Sequence, residues 1–167
     1  MKTKTKAWNT FSLFVRIGGK YGALNTTNNI NRCECFTCRF VYDTANEQAG
    51  HFIPGRSGSI LFVIELVNPQ CFRCNINLKG NWIAYEKRMI EIYGKEKVEE
   101  FKLLKNRTVQ WKEWEYEELR IVYRERLRTL LEKIDLKTIE PKLMRALITH
   151  GILAKKDGQA GHMATSV

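Results

Sequence analysis

Cys35-Phe36-Thr37-Cys38 and Cys71-Phe72-Arg73-Cys74 are two C-x-x-C pairs separated by 32 residues, and the reading of the chain turns on them. Each pair can place two thiolates on one tight knuckle, and two knuckles complete a tetrahedral Zn2+ site. Outward from the first knuckle, Arg39–Tyr42 reads as a short strand and Asp43–Asn46 as a polar turn. Ala49-Gly50-His51-Phe52-Ile53-Pro54 follows, and the apolar stretch Ser59–Val67 reads as a second strand. The second knuckle runs straight into Asn75-Ile76-Asn77-Leu78-Lys79-Gly80-Asn81, which opens a helical region. The expected order is therefore strand, histidine, loop, strand, knuckle, helix. The fifth cysteine makes Cys33-Glu34-Cys35, so a shifted ligand set is conceivable, although Cys35 and Cys38 have the better spacing. Buried or redox-active thiols are the rival reading, and neither requires two matched pairs.

The 167 residues carry 28 Lys and Arg against 18 Asp and Glu, a net charge of +10. With 44% hydrophobic and 11% aromatic residues, the chain is not wholly disordered. A basic chain makes a polyanion the first partner to consider, either DNA or an anionic membrane surface. The longest uninterrupted apolar run, Ile60–Ile64, is far short of the roughly 20 residues of a spanning helix, so no membrane is expected. The charge is uneven. Residues 1–83 hold ten basic residues against four acids (Glu34, Asp43, Glu47, Glu65), whereas 84–133 hold 13 against 11. An acid-poor basic half suits phosphate binding, and a balanced helical half suits a solvated surface. Asn9, Thr10, Ser12 and Arg16 interrupt the aromatic stretch after Met1–Lys6, so it does not read as a secretory signal. An intracellular protein is expected, with cysteines as thiols or metal ligands.

Phosphodiester hydrolysis needs an activated water, a stabilised phosphorane and a neutralised leaving oxygen. Of three histidines, His51 alone lies between the knuckles, and an imidazole can take a proton at neutral pH. Asn75 can serve as a helix N-cap or offer a hard amide oxygen to Mg2+. Arg56, Arg73, Lys79 and Asn81 lie close by in sequence and are candidate DNA-phosphate contacts, or solvated surface groups.

The strand, histidine, knuckle and helix order resembles the ββα-metal (HNH) nuclease motif, in which a zinc ribbon frames a histidine–metal site. More narrowly, the string from Cys35 to Cys38, Ala49 to Ile53, Asn68 to Asn75 and Gly80-Asn81 resembles the lambdoid-phage NinG (Rap) recombination endonucleases. Ala7-Trp8, Phe11-Ser12 and Tyr93-Gly94 also fit, so the resemblance spans about residues 7–133. It implies an HNH-like metal-dependent endonuclease that cuts branched DNA such as Holliday junctions and D-loops, in the cytoplasm of a phage-infected bacterium. It further implies His51 and Asn75 as catalytic residues, structural Zn2+ on Cys35, Cys38, Cys71 and Cys74, and catalytic Mg2+ or Mn2+ held partly by Asn75. Two departures stand out: Gly50 occupies the place where many HNH nucleases carry a metal-binding Asp or His. Leu66 falls where the middle Asn is usual, with Asn68 two residues later. These favour the alternative, a non-catalytic zinc-ribbon DNA-binding protein derived from a nuclease.

The fold expected is α+β, a small zinc-stabilised ββα-metal core with flanking helices. Its parts are an N-terminal helix and connector (1–30), the zinc-knuckle core (31–83), a helical extension (84–154) and a flexible tail (155–167). Trp8, Phe11, Phe14 and Val15 mark an amphipathic helix over 7–18. Helices are expected over 83–93, 95–105 and 111–134, with a short one after Pro141. In helix 111–134, Arg120, Arg124 and Arg128 either form a phosphate-facing row or pair with Glu117, Glu118, Glu125 and Glu132, the pairing being favoured. Its apolar stripe exceeds what a small core can bury, which makes it the expected interface of a homodimer.

Overall fold

A computed structural model describes residues 2–55 and 57–154; Arg56 and the expected tail lie outside the described residues. The N-terminal helix α1 runs over Thr3–Gly18, longer than its sequence pattern suggests, and is buried on two sides. Ala7, Phe11 and Val15, four apart and so on one face, pack with Ala49, Leu61, Phe62, Val67, Tyr116 and Tyr123. Leu13 and Ile17 point the other way, into a cluster with Leu127, Leu131, Leu143 and Leu147. At about 1.5–3 kcal/mol for each large apolar side chain taken from water, α1 anchors both layers.

After a one-turn helix α2 (Ala23–Thr26), strand β1 (Arg32–Glu34) pairs antiparallel with β2 (Val41–Asp43), Cys33 lying opposite Tyr42. The first knuckle forms the turn of this hairpin. The expected strand 39–42 is thus displaced by two residues at its start. Strand β3 (Gln48–His51) ends on the histidine, as expected, and pairs antiparallel with β4 (Val67–Gln70).

The expected strand over Ser59–Val67 is not formed: β4 begins only at Val67. Residues 58–62 are turns and Ile64–Leu66 a 3-10 turn. The apolar run is buried as irregular chain because its side chains do not alternate between the two cores as a strand's would: the neighbours Leu61 and Phe62 share one. Ile60 and Leu66 join Phe36, Phe52, Tyr85, Met89, Val98 and Phe101, while Leu61 and Phe62 face α1.

Helices α3 (Trp82–Tyr93) and α4 (Lys95–Leu103) flank Gly94, whose φ of +81° ends one helix and turns the chain into the next. Helix α5 (Glu113–Leu131) opens with Glu115 accepting the Lys112 backbone N–H at 2.6 Å. Helix α6 (Pro141–Thr149) starts with proline at a first-turn position. Most of the α5 stripe expected to make a dimer contact packs inside the chain: Tyr123 meets the first α1 face, Leu127 and Leu131 the second, while Val122 stays exposed. The arginine row is paired, Arg120 with Glu117 and both Arg124 and Arg128 with Glu125.

Candidate functional site

The two hairpins bring the knuckles together. The sulfurs of Cys35, Cys38, Cys71 and Cys74 all lie within 4.8 Å of one another, the single such group of metal-ligating residues among those described. Zn–S bonds of about 2.3 Å place tetrahedral sulfur pairs about 3.8 Å apart, and Cys38 and Cys71 sulfurs stand at 3.9 Å. Donors surround the cluster: the Cys71 N–H points at Cys35 Sγ (3.3 Å), the Cys74 N–H at Cys71 Sγ (3.4 Å) and Asn81 Nδ2 at Cys74 Sγ (3.5 Å). Such donors stabilise thiolates and fix their directions. Burial pushes the Cys38 thiol up to about 12 and the Cys71 thiol upward too, while Cys35, against its burial, is drawn down to about 7 by backbone and Thr37 hydrogen bonds; holding Cys38 and Cys71 as thiolates beside it calls for a cation's charge. The donor set fits a structural Zn2+.

Beside this cluster lies a cleft of about 500 Å³. One wall is α1, presenting Trp8, Ser12 and Arg16 at four-residue spacing; another is β3 with Gln48, Ala49 and His51; Asn75, Lys79 and Trp82 face them. The His51 ring stacks on Trp8 with centroids 5.0 Å apart and planes 16° apart. Its Nε2 lies 3.3 Å from the Leu61 carbonyl. A carbonyl only accepts, so this contact calls for the neutral tautomer with its proton on Nε2. The Leu61 loop is itself held by Trp111, whose indole N–H donates to Gly58 O at 2.9 Å.

Asn75 lies inside the tight turn Arg73–Asn77, and α3 begins seven residues after it, so its side chain caps no helix here. Its Nδ2 donates to Gln48 Oε1 at 2.6 Å, which leaves Oδ1 as an oxygen donor. Lys79 reaches the cleft from a left-handed turn in which Lys79, Gly80 and Asn81 all have positive φ. A Cβ at Gly80 would meet nothing within 4 Å, so glycine is there for its φ of +94°, not for space. Of the remaining predicted contacts, Asn81 is turned to the cysteines. Arg73 lines a separate shallow cavity with Tyr42 and Phe72. Arg56 lies outside the described residues.

Sequence reasoning missed three parts of this region. Trp8, read only as a core residue, is the platform under His51. Gln48 is Asn75's partner. Glu47, one of four acids in the first 83 residues, is 3% exposed with both carboxylate oxygens lacking a hydrogen-bond partner. Burial raises its carboxyl to about 8, helped by Cys35 and opposed by Arg16. Arg16, lowered by burial to about 10, donates to the Thr44 and Glu47 carbonyls at 3.0 and 3.1 Å. The acid-poor composition was the available signal for Glu47; the other two depend on tertiary approach.

Gly50 is explained by its neighbour. A Cβ there would fall 1.9 Å from Gln70 Oε1, whose amide is buried and tied through Nε2 to Gly80 O (2.8 Å) and Thr37 Oγ1 (3.2 Å). The place where a nuclease carboxylate would start is therefore filled.

Fold and site together define a mixed α+β protein, with small hairpin sheets and six helices among the described residues, built around a four-cysteine cluster of zinc type. The family model described as Bacteriophage Lambda NinG protein matches residues 24–133, and the chain belongs to this family. Searches of curated proteins and of solved structures found no match. No helix among the described residues is long and apolar enough to cross a membrane.

Proposed function

We propose that this protein is a structure-specific endonuclease that cuts branched recombination intermediates, Holliday junctions and D-loops, by metal-dependent phosphodiester hydrolysis in the host cytoplasm. The observation that carries the reading is His51: Nε2 is committed to the Leu61 carbonyl, and the ring is held on Trp8 in a cleft beside the cysteine cluster. That arrangement presets the tautomer in which Nδ1 takes a proton from water. Asn75, oriented by Gln48 through its Nδ2, lines the same cleft with a hard amide oxygen to offer, and Lys79 brings positive charge for a phosphate.

A divalent ion such as Mg2+ or Mn2+, when bound, neutralises charge on the phosphate and the leaving oxygen. Asn75 Oδ1 fits as one ligand, and no carboxylate cluster is gathered among the described residues to supply the others. Mg2+ commonly keeps waters and takes substrate phosphate oxygens, so one protein oxygen is compatible with an ion brought in with DNA. Expected products are a 3′-hydroxyl and a 5′-phosphate. Cutting both strands of a junction calls for two sites, hence a pair of chains; Trp114, Ile121 and Val122 on α5 remain exposed for such a contact.

The test is nicking of a labelled four-way junction in Mg2+ and in Mn2+. His51→Ala is expected to lower the rate about 10²- to 10⁴-fold while junction binding persists. Gly50, with Gln70 filling the space of the missing ligand, favours a second reading, a zinc-ribbon DNA-binding protein without catalysis. Tight junction binding by the wild-type chain with no nicking in either metal would decide for it.

A further inference from the structure

The segment Phe72–Ile83 leads out of the second knuckle, along the cleft and into α3. Phe72 is 57% exposed, Ile76 49%, Trp82 43% and Ile83 82%. Soluble chains rarely gather large apolar side chains on one exposed stretch without a partner for them. Arg73 and Lys79 are exposed among them, and no acid occurs from Leu66 to Tyr85, so the charges of the segment itself are purely cationic. Ile76, Lys79 and Trp82 also line the cleft that holds His51.

Alternating apolar and cationic groups on a segment that carries no carboxylate match a ligand with flat apolar faces and an anionic backbone. Paired duplex DNA keeps its base faces stacked and presents phosphates and groove edges; unpaired or unstacked bases offer open faces beside the backbone. We propose that Phe72, Ile76, Trp82 and Ile83 form a wedge that stacks against bases opened at a DNA branch point, while Arg73 and Lys79 hold the flanking phosphates. Ile76 and Trp82 line the cleft and Phe72 and Ile83 flank them along the chain, so the wedge bears on which phosphate reaches His51. This rests on the nuclease reading for its partner, and deepens it by assigning branch selectivity to apolar residues rather than to the basic ones.

The test uses the full, zinc-loaded chain with a labelled four-way junction carrying 2-aminopurine at its centre, and a linear duplex of the same sequence. Phe72→Ser and Ile83→Ser change exposed side chains, and unchanged zinc content verifies the fold. Each is expected to weaken junction binding about 5- to 100-fold, leave duplex binding unchanged and abolish the 2-aminopurine signal. Lys79→Ala should instead weaken both DNAs alike. Equal loss on junction and duplex, or no loss on either, overturns the proposal. So does conversion of a dimer to a monomer with unchanged selectivity, which would make the patch a contact between copies. Nicking is scored separately: selective junction binding without cutting leaves the wedge standing and defeats the nuclease reading. Cutting with equal affinity for junction and duplex defeats the wedge alone.

Discussion

Gly50→Ala isolates a single steric fact. Gly50 has no positive φ, so its backbone accepts an L-residue and the substitution carries no conformational penalty. The cost comes from space: the new Cβ would lie 1.9 Å from Gln70 Oε1, 2.7 Å from Cδ and 2.9 Å from Cγ. Gln70 is fully buried, and withdrawing its amide breaks two hydrogen bonds and strands the Gly80 carbonyl. Two bonds at about 1 kcal/mol each, plus a partly desolvated carbonyl, give about 2–4 kcal/mol, in the range of other overpacking changes. With a urea m-value of about 1–3 kcal/mol per molar, the midpoint should fall by about 1–2 M at fixed free zinc. Gln70→Ala removes the obstacle, so the double variant should cost less than the two singles added, by about 1–2 kcal/mol. A Gly50→Ala midpoint equal to wild type, or strictly additive costs, would refute the steric account.

Three further outcomes are expected. Folded Glu47 holds its proton up to about pH 8, whereas the unfolded side chain releases it near its ordinary 4.5. The folded state therefore binds more protons between these values, and stability should fall as pH rises through that window, by on the order of 4 kcal/mol. Urea titrations from pH 5 to 9 should show this slope in wild type and a flatter profile in Glu47→Gln; parallel profiles would contradict it. Trp111→Phe removes the indole N–H that holds Gly58 O and should cost about 1 kcal/mol in the same unfolding assay, an unchanged midpoint counting against that tether. Cys74→Ser removes one sulfur and the acceptor of Asn81, and metal analysis should show zinc retention lost or sharply reduced; full retention would argue against Cys74 as a ligand.

The cysteine cluster was legible because C-x-x-C is a local device: two ligands on one turn are set by four residues, leaving only the meeting of two turns to the fold. His51 at a strand end and the Gly94 break were legible for the same reason. The stretch Ile60–Ile64 was not. Five consecutive apolar residues say only that they are buried, and here the neighbours Leu61 and Phe62 go to the same core, which a turn permits and the alternation of a regular strand does not. The α5 stripe was seen, but not its partner, since α1 lies about a hundred residues earlier and its second buried face was hidden behind the Trp8–Val15 pattern. Glu47, Gln48 and Gln70 carry no motif; their meaning comes from what approaches them.

Helix α1 also orders events in time. It is made before α5 and α6, whose side chains, from Tyr116 and Leu127 to Leu147, complete the cover of its two apolar faces. During synthesis Phe11, Leu13, Val15 and Ile17 must wait through most of the chain's production before they are enclosed. Trp8 waits with them, so His51 gains its stacking platform only once α1 has docked. A nascent or truncated chain with its zinc ribbon formed but lacking α5 would hold the cysteine cluster without a settled cleft, keeping the histidine unset until the last helices are in place.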